Sequence, residues 1–401
     1  MNLPPTTRAG APGTAGALTE DGTGIAPAVS IEQNSQVYEA QRSGRDVIVL
    51  SLGEAFFTTR QPDLAALPPQ ELFHYGDSRG LPELRGTLSA YYARDCSVSV
   101  DPDRQVVVTA GSKMALYMAL LATVRAGDEV LLPEPYWVSY PPQVALCGAT
   151  PVAVPAGTPV HAWEALVTPR TKAIVVNSPR NPDGAVLSRE EWLTLHALAG
   201  QRGITLIADE VYNEFLPPRE RFVSAGLDDP DLKHTVIVNS ISKNLGLSGF
   251  RIGYLLARPE TTTTLLRLNQ HLITCAPSPL SGYVARDFDE LLARARPQIH
   301  EVVARRGRCA ETLSAAGIPV SEGRATFYLL ADVRASGLTS AEFAARLFRH
   351  HGVSVVDGSA YGPSCEGFVR VSVGTEDDAR VSTGLRRIVD LMNDPSAGSG
   401  R

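Results

Sequence analysis

Thr235-Val-Ile-Val-Asn-Ser-Ile-Ser-Lys-Asn-Leu-Gly-Leu-Ser-Gly-Phe-Arg-Ile-Gly-Tyr254 is the stretch from which the architecture of this chain can be read. It begins with an apolar, β-branched run, Val236, Ile237 and Val238, of the kind that fills a strand buried on both faces. It then turns polar, with Ser240 and Ser242 just ahead of Lys243. A glycine-rich bend follows, Gly246, Gly249 and Gly253, enclosing Arg251. A lysine at the mouth of a buried strand, with hydroxyls and an arginine nearby, suits a ligand that carries both an aldehyde and a phosphate. The amine condenses with the aldehyde. The hydroxyls and the guanidinium hold the phosphate, the arginine by a two-pronged contact. A surface loop with a solvated lysine has the same local pattern, so the rest of the chain must decide.

From about residue 105 to 257 the pattern of strand, helix, strand repeats. The expected strands are Gln105–Thr109, Glu129–Leu132, Pro151–Val154, Ala173–Asn177, Thr205–Ala208, Thr235–Val238 and Gly253–Leu256. Several are continuous apolar runs without alternation, separated by helix-like stretches such as Met114–Thr123 and Arg189–Arg202. That signature predicts an α/β fold with a mainly parallel seven-stranded sheet between helices. In such sheets ligands bind at the carboxyl ends of the strands.

The residues after each strand are therefore the candidates for chemistry. Gly111, Ser112 and Lys113 open a helix, where free backbone N–H groups face an anion. Trp137 can stack on a flat ring or fill the core. Asn181 lies in a loop stiffened by two X-Pro steps and can hold a phenolic oxygen or a carboxylate, or serve as a turn residue. Asp209 ends a buried strand, where a carboxylate needs a partner such as a protonated ring nitrogen; capping the next segment is its plainer role. Tyr212 lies three residues on and can reach the same ring. Gly53 follows a short strand, Val47–Leu50, and lets a ligand approach the backbone. Tyr75 sits in a loop, His74–Gly80, and by default is a half-buried aromatic. That loop leads into a helix over Pro82–Tyr92, and an earlier helix is expected over Ser30–Gln41 with Ser30 as N-cap. Neither a P-loop nor a Gly-x-Gly-x-x-Gly fingerprint is present.

Beyond residue 286 the pattern changes. A charged helix over Val284–Ala316 leads to a strand at Thr326–Ala331, a helix over Ser340–His351 and strands at Val353–Val356 and Phe368–Val373. This predicts a smaller α+β domain. Arg370 lies inside the last apolar strand, where a guanidinium wants an anion: a substrate carboxylate, or a nearby acid at the rim.

The composition, 44% hydrophobic and 20% charged over 401 residues, is that of a globular protein. A net charge of -6 gives no footprint for nucleic acid or an anionic membrane. The five cysteines are odd in number, with no CxxC spacing, so neither a zinc site nor a disulfide framework is indicated. Neither a bilayer-spanning run nor a signal peptide is legible, and a cytoplasmic protein is expected. The Pro- and Gly-rich residues 1–24 and residues 394–401 read as flexible tails. The expected division is a small domain of 25–60 with 286–393 and a large domain of 61–285.

Taken together, Ser-x-Ser-Lys-x-x-Gly-x-x-Gly-x-Arg-x-Gly-Tyr and the ordered motifs around it resemble the fold-type I pyridoxal-phosphate enzymes, and among them the class I and II aminotransferases, from about residue 27 to 390. The resemblance implies the aspartate aminotransferase fold and pyridoxal 5'-phosphate as cofactor. It implies that Lys243 binds the cofactor covalently and moves the substrate proton, and that Asp209 partners the pyridine nitrogen. Asn181 and Tyr212 would bond the phenolic oxygen, and Trp137 would stack on the ring. Gly111, Ser112, Lys113, Ser240 and Arg251 would form the phosphate cup. Tyr75 would reach the phosphate of a neighbouring subunit, implying a homodimer with shared sites. Arg370 would clamp the substrate α-carboxylate, with Gly53, Trp137 and Asn181 also at the substrate. The activity implied is ping-pong transfer of an amino group between an amino acid and a 2-keto acid; a lyase, cyclase or oxidase-like outcome on the same scaffold is the alternative. A transcriptional regulator carrying such a domain would need a DNA-binding domain ahead of it, for which the tail is too short. The chain departs from the family pattern at Gly53-Glu-Ala-Phe-Phe57, at Asn181-Pro-Asp-Gly184 and at Val356-Asp-Gly-Ser359, none of which removes a reacting group.

Overall fold

Unbroken apolar runs become fully buried strands, and these build the larger sheet. The structure, a computed structural model, describes residues 27–69 and 73–394. The expected N-terminal tail, and all but residue 394 of the C-terminal one, lie outside the described residues. Strand β1 (Ile48–Val49) comes first. The strands β2 (Val106–Thr109), β3 (Glu129–Pro133), β4 (Thr150–Val154), β5 (Thr171–Asn177), β6 (Thr205–Asp209), β7 (Thr235–Ser240) and β8 (Gly253–Leu256) form a seven-stranded sheet in the order β2-β8-β7-β6-β5-β3-β4. All neighbours pair parallel except β8, which is antiparallel to both β2 and β7. Strands β2 through β7 therefore point the same way, and their carboxyl ends share one rim. Every residue of β2, β3 and β7 is buried, while β4, at the sheet edge, is largely exposed.

One face of this sheet is covered by the helices Ser112–Thr123, Tyr140–Leu146 and Pro259–Leu272, whose apolar residues join Val107, Val130, Val175, Val236 and Leu255 in one core. The other face packs on Pro82–Tyr91, Arg189–Arg202 and the first half of a 38-residue helix, Ser278–Ala315. Pro82 sits in the first turn of its helix, where a missing N–H costs nothing. That helix ends one residue earlier than expected, at Tyr91, and continues as a π-turn over Tyr92–Cys96.

A separate core gathers β1, β9 (Tyr328–Asp332), β10 (Val353–Ser354), β12 (Phe368–Ser372), the second half of the long helix, and the helices Ser340–His351 and Asp378–Met392. The long helix changes cores between Leu292 and Ala295. The single strand expected over Val353–Val356 is two: β10 pairs parallel with β1, and β11 (Val356–Asp357) joins the antiparallel sheet β11-β12-β9. Val355 is the step between them. The first helix runs Val29–Arg42 with Ala28 as its N-cap residue, so Ser30 lies inside the first turn and is not the cap. Among the described residues no helix is long and apolar enough to cross a membrane.

Candidate active site

The shared rim of parallel strands puts the ends of β5, β6 and β7 side by side, and with them Asn177, Asp209 and Ser240. A cavity of about 220 Å³ opens there. Its walls hold Lys243, Asp209, Tyr212, Asn181, Trp137, Ser112, Lys113, Gly53 and Arg370, nine residues singled out from the sequence. Gly111, Ser240 and Arg251 do not line it, and neither does Tyr75, which is exposed at 87% rather than half-buried.

Lys243 lies in the short helix Ile241–Asn244 that follows β7, and its amine donates to the Gly53 carbonyl. Burial depresses its pKa to about 8, helped by the charges of Arg370 and Arg251 and opposed by Glu54 and Asp209. Asp209 is 6% exposed, and burial raises its carboxyl to about 6 against the pull of its hydrogen bonds and of Lys243. Tyr140 Oη donates to Asp209 Oδ2 at 2.7 Å, and the Val211 N–H reaches Oδ1 at 3.3 Å. Asn177 Nδ2 donates to the Asp209 carbonyl at 2.8 Å, while its Oδ1 accepts from the Asn181 N–H at 2.8 Å, so the end of β5 ties the Asn181 loop to the acid.

Tyr212 Oη and Tyr328 Oη share a hydrogen bond of 2.9 Å. Arg370 is 3% exposed. Its Nη2 donates to the Ser51 carbonyl at 2.5 Å and its Nη1 to Asn181 Oδ1 at 3.3 Å. The guanidinium lies over the rings of Tyr328 (4.5 Å) and Tyr361 (5.5 Å). Its Nε has no hydrogen-bond partner, and no carboxylate among the described residues pairs with it. A buried, acid-free guanidinium facing a cavity is poised for an anion.

On the other side, Gly111 caps the helix Ser112–Thr123 with φ +83, a backbone open to glycine, and a Cβ there would lie 2.5 Å from Arg251 Nη2. Arg251 itself adopts a left-handed φ of 54°, is exposed, and is held by a 2.8 Å bond from Nη1 to the Ser248 carbonyl. Ser240 is buried and caps the lysine turn, its Oγ accepting from the Ser242 N–H. Lys113 lies with its amine 5.1 Å from the Trp137 ring centre, its pKa lowered by burial and by Arg251.

The sequence reading missed several residues here. Tyr140 bonds Asp209 from outside the cavity wall, and Tyr328, Ile31, Asn34 and Leu52 line the cavity. Tyr140 lies three residues past Trp137, at the start of the helix Tyr140–Leu146, and its ring meets Trp137 edge-on. Tyr328 comes from a strand in the other core, and nothing local distinguishes it.

Residues 45–388 match the family described as aminotransferase class I and II. An aspartate aminotransferase of Pyrococcus abyssi is 31% identical over 351 residues, covering 85% of this chain and 90% of that one. An arginine–pyruvate transaminase of Pseudomonas aeruginosa is 33% identical over 341 residues, covering 82% and 86%. The crystal structure of the aspartate aminotransferase from Thermus thermophilus with maleate superposes with a TM-score of 0.86 at 29% identity, covering 94% of this chain and 99% of that one. The chain belongs to the class I and II aminotransferases, a family dependent on pyridoxal 5'-phosphate. It is an aminotransferase, an enzyme that moves an amino group between an amino acid and a 2-keto acid.

Proposed function

We propose that this chain binds pyridoxal 5'-phosphate in the cavity beneath Arg370 and uses it to transaminate an L-amino acid. The observation that carries the reading is the convergence on one cavity of a buried, unpaired guanidinium, a sheltered lysine amine and a buried carboxylate. The donor set fits the cofactor. Gly111, Ser112, Lys113, Ser240 and Arg251 would hold its phosphate, using the helix N-terminus and positive charge. Asp209 would hold its ring nitrogen, Asn181 and Tyr212 its phenolic oxygen, and Trp137 its ring face. When bound, the cofactor supplies an electron-withdrawing ring that acidifies the substrate Cα–H.

The chain's own groups do the rest. Arg370 receives the α-carboxylate in a two-pronged contact and so fixes where Cα lies. Lys243, with a pKa near 8, is partly unprotonated at neutral pH and is suited to take the Cα proton and return it. Asp209, shielded from water and bonded by Tyr140, keeps a negative charge available to the ring nitrogen. The reading extends to a homodimer in which Tyr75, exposed on this protomer, completes the neighbour's phosphate site. A division into a small domain, 25–60 with 286–393, and a large one, 61–285, is supported by the separate cores. Five unpaired cysteines support a cytoplasmic location.

In Lys243→Ala the visible absorbance of the bound cofactor shifts and turnover is lost. Steady-state transamination retained by that variant would overturn the proposal.

A further inference from the structure

Asn213 is 4% exposed and does not line the cavity, yet its side chain grips both ends of the turn that presents Lys243. Its Oδ1 accepts from Asn244 Nδ2 at 2.6 Å and from Asn239 Nδ2 at 3.2 Å. Asn239 immediately precedes Ser240, and Asn244 immediately follows Lys243. One carbonyl oxygen thus takes an amide from each side of the lysine. The grip is itself anchored. Asn213 Nδ2 donates to Tyr91 Oη at 2.6 Å, Tyr91 donates to Glu214 Oε1 at 2.6 Å, and Arg296 holds Glu214 through two bonds of 2.9 and 3.0 Å. Asn239 Nδ2 also reaches Tyr92 Oη at 2.9 Å, and its Oδ1 accepts from the Ser240 N–H at 2.7 Å.

We propose that Asn213 is a positioning residue for Lys243, a staple that holds Asn239 and Asn244 together and so fixes the lysine turn and keeps its amine sheltered from water. The proposal rests on Lys243 being the cofactor-binding lysine. Without the shared acceptor, the Asn244 amide loses its partner and the Asn239 amide keeps only Tyr92, so the turn must admit water or move. Either response loosens the turn that aims the amine, and small displacements of a reacting group are costly to rate. The bonded groups form one network, so their contributions are coupled.

The test uses the full chain without cofactor. The rate at which an amine-acylating reagent labels Lys243 is followed by mass spectrometry across pH. The charged groups around that amine, Glu54, Arg370, Arg251 and Asp209, are kept in every variant. Asn213→Leu is expected to raise the labelling midpoint toward that of an ordinary lysine by at least about half a pH unit. In the cofactor-loaded enzyme it lowers kcat roughly tenfold and leaves KM within about twofold. Asn244→Ala shifts the midpoint the same way, and the double variant shifts it no further than the larger single change. Tyr91→Phe removes the anchor of Asn213 but keeps the acceptor for both amides, and it shifts the midpoint less than Asn213→Leu does; a larger shift than that of Asn213→Leu would overturn the staple. A folded Asn213→Leu with an unchanged midpoint, or single shifts that simply add, would overturn the staple. If Asn213→Leu does not fold, Asn244→Ala decides by the same two outcomes. A lysine that labels as expected in a chain that takes up no cofactor overturns the functional reading and leaves the staple standing.

Discussion

Arg370 donates to two neutral oxygens, the Ser51 carbonyl and Asn181 Oδ1, and leaves its Nε free. Both neutral partners orient the fork without neutralising it. Arg370→Lys keeps the charge and loses the planar fork, so it is expected to raise KM for amino donors roughly 10- to 100-fold, the equivalent of one hydrogen bond to a charged group. Cofactor absorbance should persist; KM values within twofold of wild type would remove the clamp role. Glu210 poses a different question. It follows Asp209 but is fully buried, accepting from Ser224, Tyr92 and the Ala225 N–H, and burial raises its carboxyl to about 7. Between an ordinary carboxyl near 4.5 and that value, the folded chain holds a proton the unfolded chain has lost. Stability contributed by this group is therefore highest at low pH, falls as pH rises through that window, and is flat above it. Glu210→Gln should flatten the slope by on the order of 1–3 kcal/mol in denaturant midpoints measured from pH 4.5 to 8. Parallel curves for the two proteins would show that Glu210 ionises freely.

At the scale of elements, the helix Arg189–Arg202 has the bounds expected from its sequence, and its ends are marked. Ser188 and Glu191 form a capping box and Gly203 closes the other end in a left-handed turn. Ser188→Ala should cost about 1 kcal/mol of stability and leave kcat/KM unchanged, because Ser188 does not line the cavity. Gly253 opens β8 against the phosphate side of the site: a Cβ there would lie 2.3 Å from the backbone of Gly111 and Ser112. Gly253→Ala is expected to weaken cofactor binding at least about tenfold by pushing that loop, measured by titrating the cofactor-free protein. The antiparallel direction of β8 was invisible in the sequence. A strand buried on both faces has the same unbroken apolar pattern whichever way it runs. Lys243, Asp209 and Arg370 were legible because charge at the end or middle of a buried strand demands a partner. Tyr140, Tyr328, Ile31 and Asn34 were not, since the bond of Tyr140 to Asp209 and the place of the others in the cavity depend on tertiary packing and their own residue types demand nothing.

At the scale of the whole molecule, the cavity lies where residues from both sheets meet, Asp209 from the large sheet and Lys243 from the turn after it, Arg370 and Tyr328 from the small one. Tyr75, outside that cavity and exposed, is expected to act across a dimer. Mixing inactive Lys243→Ala with Tyr75→Ala should restore activity, up to about a quarter of wild type if subunits exchange at random, since half the dimers are hybrids with one complete site. No recovery after verified subunit exchange would place Tyr75 outside the shared site. The helix Ser278–Ala315 is the one element described above that belongs to both cores, and Pro297 lies just past the place where it changes allegiance. Proline has no N–H to give the carbonyl of Ala293, so the helix lacks a rung there. Its consequence is mechanical: the one helix that runs through both cores lacks a backbone bond just past the point where it leaves one for the other, and it bends most easily there.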